Sequence, residues 1–233
     1  MNMAPPYPAF PSLRLAVAAD LNRMAELGVA GFRGSNAFRY VRPKHEEFPE
    51  DAAAWYANLF RSQLLDPLTV VIVAEDWDQS GASSTGERII VGIASWRLPE
   101  GSPHHGQFIV AGVADERKAL GRDLSQKRLD LFLGIIGDAE KTHFTGKAIC
   151  DKLVVDPLYR RRGHASSMLR WGQRLCDQDG IDYGIIPSPL AKPVCDGLGY
   201  AVKGEMHVPD DGGVCGFTQS IVVYSARKAI AEA

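Results

Sequence analysis

The chain has 233 residues, 45% hydrophobic and 23% charged, a balance that fills one sizeable core without demanding two domains. Its formal net charge of -2 gives no global argument for nucleic acid or an anionic membrane as partner. No apolar stretch is long enough to span a bilayer, and the proline-rich start, Met1 to Phe10, lacks the pattern of a signal peptide, so a cytoplasmic protein is expected.

Residues 1–12 read as a flexible lead. A short strand follows at Arg14 to Val17, then a helix opening on Asp20 with Leu21, Met24, Leu27, Val29 and Phe32 at helical spacing. Gly34 to Pro49 reads as irregular, and Asp51 to Leu65 as a second helix through Ala54, Trp55, Leu59 and Phe60. Two β-branched runs, Thr69 to Ala74 and Ile89 to Trp96, flank the small polar segment 80–86 and predict an antiparallel hairpin with a flexible loop. Beyond a Pro/Gly/His loop at Pro99 to Gly106, the spacing of Leu120, Leu124, Leu131 and Ile135 predicts an amphipathic helix over Asp115 to Asp138.

The second half reads as a strand (Ala148 to Val155), a glycine-containing turn, a helix (Ala165 to Asp179) and a short strand (Tyr183 to Ile186). A short helix (Ala191 to Leu198) ended by Gly199 and two strands, Tyr200 to Val208 and Phe217 to Tyr224, complete it. Strands in runs as well as in alternation predict an α/β protein with a mixed sheet and helices on both faces. No repeat divides the chain, so 1–233 reads as one domain. The stretch 99–146, longer than a plain connection, reads as an insertion that shapes an acceptor site together with Phe32 to Tyr56.

Cys150, Cys176, Cys195 and Cys215 form no CxxC pair and sit at no metal-ligand spacing; they read as small apolar core residues, and no metal is expected. His104-His105 read as exposed loop residues, and Trp55, Trp77 and Trp96 as core.

The chemistry concentrates in Leu153-Val154-Val155-Asp156-Pro157-Leu158-Tyr159-Arg160-Arg161-Arg162-Gly163-His164-Ala165-Ser166. A strand ends, the chain turns, and a helix opens on a glycine. The first-turn amides of such a helix have no intrahelical acceptor and carry the positive end of its dipole, so a diphosphate is a natural occupant. Gly163 lets the backbone approach the anion, small Ala165 leaves room, and Arg160, Arg161 and Arg162 add charge. The alternative is a solvated basic turn before an amphipathic helix. The metal-binding hydroxyl of a Walker A loop is missing, and so are the three spaced glycines of a dinucleotide fold.

This stretch resembles the GCN5-related N-acetyltransferases (GNAT), in particular the small fungal and bacterial ones. Arg160, Gly163 and Ala165 match Arg/Gln-x-x-Gly-x-Gly/Ala, preceded by Val155 and Pro157, and Leu198-Gly199-Tyr200 stands where the family has Leu-Gly-Phe. The likeness covers roughly residues 148–202 and is loose before them.

The resemblance implies a GNAT fold, with a mostly antiparallel sheet splayed at an acetyl-CoA site. It implies direct acetyl transfer to a primary amine in a ternary complex, with acetyl-CoA as cosubstrate and no metal. The main chain of Leu153 and Val155, flanking Val154, would meet the thioester and pantetheine. The amides from Arg161 through Gly163 and His164 to Ala165, with Ser166, would hold the diphosphate, and Ser188 and Lys192 would touch the far end of the cosubstrate.

An ammonium acceptor must lose a proton before its nitrogen attacks. Asp151 is the candidate base: two residues before Leu153, it is expected on the same face of the strand, and Asp-x-Leu-x-Val matches fungal relatives. A sheet-surface residue paired with a Lys or Arg is the equal alternative. Cys195 occupies the place of the tyrosine that protonates the leaving thiolate in many relatives, which puts the general acid in question. The acceptor is expected to be a small molecule more than a protein. The competing functions are a non-catalytic acyl-CoA-binding sensor or partner subunit, and a nucleotide-binding protein using the same helix end.

Overall fold

The computed structural model describes residues 7–78 and 86–227. Its strands are β1 (Leu13–Leu15), β2 (Thr69–Trp77), β3 (Arg88–Arg97), β4 (Ala148–Val155), β5 (Tyr183–Ile185), β6 (Ala201–Val208) and β7 (Phe217–Tyr224). They form one sheet in the order β1-β2-β3-β4-β5-β7-β6. Every pairing is antiparallel except that of β4 with β5.

Alternation along the strands sends apolar side chains to both faces, and both are covered. On one face α1 (Leu21–Phe32) and α3 (Pro49–Leu65) bury Met24, Leu27, Tyr56 and Phe60 against Val71, Val73, Ile93 and Val154. Beside them α2 (Asn36–Val41) and α4 (Gln126–His143) pack Tyr40, Val41, Phe132 and Ile136 near Met206, Phe217 and Ile221. On the other face α5 (His164–Asp179) and α6 (Lys192–Gly197) bury Met168, Leu169, Leu175 and Cys195 against Ile72, Ala94, Trp96 and Cys150. Close approach is built in with glycine. A Cβ on Gly31 of α1 would lie 1.8 Å from Val154 Cγ2, and one on Gly172 of α5 would lie 2.5 Å from Trp96 Nε1. No described helix is long and apolar enough to cross a membrane.

The structure departs from the sequence reading at several places. The helix expected over 115–138 runs instead from Gln126 to His143. Gly121 is left-handed (φ +67°), and the backbone of Arg117 pairs with the Asn58 side chain, so the stretch before α4 satisfies its polar groups on α3 rather than in a helix. The segment 34–49 contains α2, a six-residue helix that Ser35 Oγ caps by accepting the Phe38 amide (3.2 Å).

The lead is packed from Tyr7 onward: Tyr7 meets Phe108 edge-on, and Trp171 Nε1 donates to the buried Pro8 carbonyl (2.7 Å). Its first six residues, and 79–85 of the hairpin loop, lie outside the described residues. Lastly, His104 is fully buried, bound to Gln107 and to Asp179 (3.1 Å), Trp77 is exposed, and so is Cys215.

Candidate active site

A bulge in β4 shapes the site. Ala148 donates its amide to the Asp182 carbonyl, on the β5 side, whereas Asp156 donates to Val91, on the β3 side. In an unbroken strand two residues eight apart point the same way. Here Ser95 pairs with Lys152 and Trp96 with Cys150, so Asp151 is an extra residue and the alternation reverses there. Past the bulge, Leu153 and Val155 therefore turn their backbone groups towards the β5 side. β5 is no longer there to meet them, because it pairs with β4 only at Ala148↔Tyr183 and Ile149↔Gly184. The result is a V-shaped gap with an unsatisfied strand edge along one wall.

The bulge also redirects side chains. Leu153 packs on the α5 side, while Asp151 Oδ2 accepts from Gln63 Nε2 of α3 (2.5 Å) and Oδ1 pairs with Lys152 Nζ (3.0 Å). Asp151 and Leu153 thus lie on opposite faces, contrary to the two-residue alternation, because Asp151 is itself the extra residue. Burial raises the Asp151 carboxyl. The charge and hydrogen bond of Lys152, the Arg97 guanidinium and the Gln63 amide outweigh that and hold it below its ordinary value.

β4 runs out at Val155 into a turn tied down from several sides. Asp156 caps it at Leu158 and pairs with Arg23 (2.8 Å), and Arg160 donates to the Gly31 carbonyl of α1 (3.0 Å). Arg161 (φ +65°) and Gly163 (φ +88°) are both left-handed, and Arg161 is alone in this among the described non-glycine residues. Left-handed residues on either side of Arg162 curl successive amides into a concavity, at the mouth of a 16-residue helix whose first turn adds its own N–H groups. Nothing lies within 4 Å of where a Gly163 Cβ would be. The side chains of Arg162 and His164 turn aside to Asp76 (3.4 and 3.0 Å) and leave the backbone amides to line the concavity. Ala165 and Ser166 complete the first turn of α5.

Above the gap a cavity of about 420 Å³ opens on Asp151, Lys152, Leu153, Ile186 and Ser188. Phe32, Phe38, Trp55 and Tyr56 form one wall and Leu129, Phe132, Leu133 and Ile136 of α4 the other. Both segments expected to shape an acceptor site therefore contribute lining residues. Lys192 lies at the start of α6 with its ammonium on Asp196. Cys195 is fully buried in the α5-side core and absent from the cavity wall; burial, with Asp196 nearby, pushes its thiol up to about 12.

Sequence reasoning did not single out Gln63, Arg97, Glu140 or Arg42. Arg97 pairs with Glu140 (2.8 Å) at the cavity wall, and Arg42 pairs with the buried Asp123 while lying 4.6 Å from the Trp55 ring centroid. Each sits on a different element, and only the fold brings them together. Trp55, read as core, lines the cavity.

No family model matches the chain. An acetyltransferase of Stachybotrys chartarum is 54% identical over 224 residues, 96% of this chain and 95% of that protein. Among solved structures, a histone acetyltransferase HPA2 and related acetyltransferase of Corynebacterium glutamicum is 17% identical with a TM-score of 0.58, covering 94% of this chain and 98% of its own. A GNAT phosphinothricin acetyltransferase of Sinorhizobium meliloti, solved with AcCoA, is 16% identical with a TM-score of 0.53, over 95% and 91%. Kinship over nearly the whole length, on a sheet splayed between β4 and β5, makes this chain a member of the GCN5-related N-acetyltransferase superfamily and an acyl-CoA-dependent acetyltransferase.

Proposed function

We propose that the chain moves the acetyl group of acetyl-CoA to the primary amine of a small molecule, by direct attack within a ternary complex. The observation that carries this is the continuity of three features: the open β4 edge at Leu153 and Val155, the amide concavity at 161–166, and the cavity that meets the gap from the opposite side. An extended thioester-bearing arm fits the first, its diphosphate the second, and an amine the third. Ser188, which lines the cavity, then borders the acceptor, and Lys192 at the start of α6 flanks the cosubstrate.

Transfer requires a deprotonated nitrogen, a polarised thioester carbonyl and a proton for the leaving thiolate. Backbone amides on the open β4 edge supply the hydrogen bond to the carbonyl. Asp151, held ionised by Lys152 and Gln63, accepts the amine's proton transiently and passes it to water. Its depressed pKa makes it a poor store for that proton but a lasting acceptor of the N–H. The thiolate takes its proton from solvent, and Cys195 serves packing.

Acetyl-CoA at a hundredfold over its Kd should stabilise the fold by about 2.7 kcal/mol. For a domain of this size that is a Tm rise of about 5–10 °C. Release of free thiol from acetyl-CoA upon addition of amines separates catalysis from mere binding. A Tm rise with no thiol released from any amine would identify a non-catalytic acyl-CoA-binding module instead.

A further inference from the structure

We infer that the acceptor is an uncharged, ring-bearing body carrying a single amine, and that amino acids and polyamines are excluded. This rests on the transfer reading above and names the substrate class for that site.

Two observations on the cavity carry it. The first is shape and polarity. On one wall the rings of Phe32 and Tyr56 stack at 5.7 Å, Phe38 lies nearly parallel to Tyr56 at 6.4 Å, and Trp55 stands edge-on to Tyr56 at 5.0 Å. These rings come from α1, α2 and α3 and present edges and faces to the same space, which suits a flat aromatic guest. Facing them, Leu133 of α4 is 53% exposed although it lines the cavity, an apolar surface that a lipophilic ligand would cover.

The second observation is charge. Among the described residues three cations line the cavity, and each already holds a carboxylate: Lys152 with Asp151, Arg97 with Glu140, and Arg42 with Asp123. An acceptor carboxylate or phosphate would enter without a cation to receive it. A second ammonium would likewise lack an unpaired carboxylate. Burying such a charge uncompensated is costly enough to decide between otherwise similar amines. The one ammonium that is tolerated is the reacting one, which Asp151 meets with its remaining lone pairs and which leaves its proton there.

The test compares 2-phenylethylamine with phenylalanine, spermidine and a lysine-containing peptide, by thiol release from acetyl-CoA. The kcat/KM for 2-phenylethylamine should exceed each of the others by about a hundredfold or more. Glu140→Gln should free the Arg97 guanidinium and raise phenylalanine relative to 2-phenylethylamine at least tenfold. Leu133→Arg, at an exposed position that tolerates change, should do the same by adding an unpaired cation to the opposite wall. Phenylalanine, spermidine or the peptide matching 2-phenylethylamine, or no amine reacting, would overturn the substrate class. So would both variants leaving the ratio unchanged. Thiol release and the Tm rise with acetyl-CoA separate the two failures: if another amine releases thiol, only the acceptor class has failed, and if no amine does, or the Tm rise is missing, the underlying transfer reading has failed too.

Discussion

Gly163→Ala isolates the role of the turn before α5, because the cost to the fold and the cost to binding have separate origins. Gly163 sits at φ +88° with open space around its missing Cβ, so alanine there meets no atom and adds only the left-handed backbone penalty, about 1–2 kcal/mol. Gly180, at the other end of the same helix, has φ +67° and equally open space. Gly180→Ala should carry a similar penalty, and both variants should melt about 2–8 °C below the parent. Only Gly163→Ala places a methyl group in the amide concavity. Its Kd for acetyl-CoA should rise tenfold or more, which removes about 1.4 kcal/mol of ligand stabilisation at saturating cosubstrate. Thermal melts of the three proteins with and without acetyl-CoA read both quantities. An equal ligand-induced rise in the two variants would show that the diphosphate sits elsewhere.

Asp151→Asn should lower turnover by about 10²–10⁴-fold near neutrality while keeping the acetyl-CoA-induced Tm rise. The deficit should shrink as pH nears the amine's own pKa, around 10 for a simple alkylamine, and unchanged turnover would assign proton removal to another group. Because the folded Asp151 carboxyl lies below its ordinary 3.8, the stability it adds is present above that pH and lost as pH falls through the folded value. Melts of parent and variant should therefore converge in acid, and a gap that widens there would contradict the pairing with Lys152. Cys195→Ala should cost about 1–2 kcal/mol of stability with near-normal turnover in the folded protein; a hundredfold slowing would make the thiol a participant. Gly31→Ala should cost about 1–3 kcal/mol through its clash with Val154, and adding Val154→Ala should recover part of it; strictly additive losses would refute that contact.

The fold was largely legible because its signals are local. The β-branched runs of β2 and β3, the helical spacing in α3 and α5, and the glycine that opens α5 each declare themselves within a dozen residues. What escaped reading depends on partners far along the chain. The expected helix over 115–138 failed at its start because Gly121 turns left-handed and Asp51 and Asn58 of α3 capture Arg122 and Arg117. His104 reads as an exposed loop residue because its partner, Asp179, lies 75 positions away. The cavity charges share this property: Arg97, Glu140 and Asp151 belong to three elements, and no spacing in the sequence joins them.

The bulge at Asp151 shows why the motif could be found while the direction of its side chain could not. A strand of period 2 allows a residue's face to be counted from its neighbour's, and that counting put Asp151 beside Leu153. One extra residue breaks it, and nothing in Cys150-Asp151-Lys152 announces the insertion, which shows only in the pairing of β4 with β3. Yet that single residue meets two requirements of the site at once. It turns the backbone of Leu153 and Val155 outward into the gap that β5 leaves, and it swings Asp151 and Lys152 onto the α3 side beneath the aromatic cavity. In an unbroken strand, the open edge would belong to Lys152 and Val154, and Asp151 could not share a face with Lys152. The gap and the carboxylate are therefore consequences of one irregularity, and a change that restored regular pairing through β4 would disable both together.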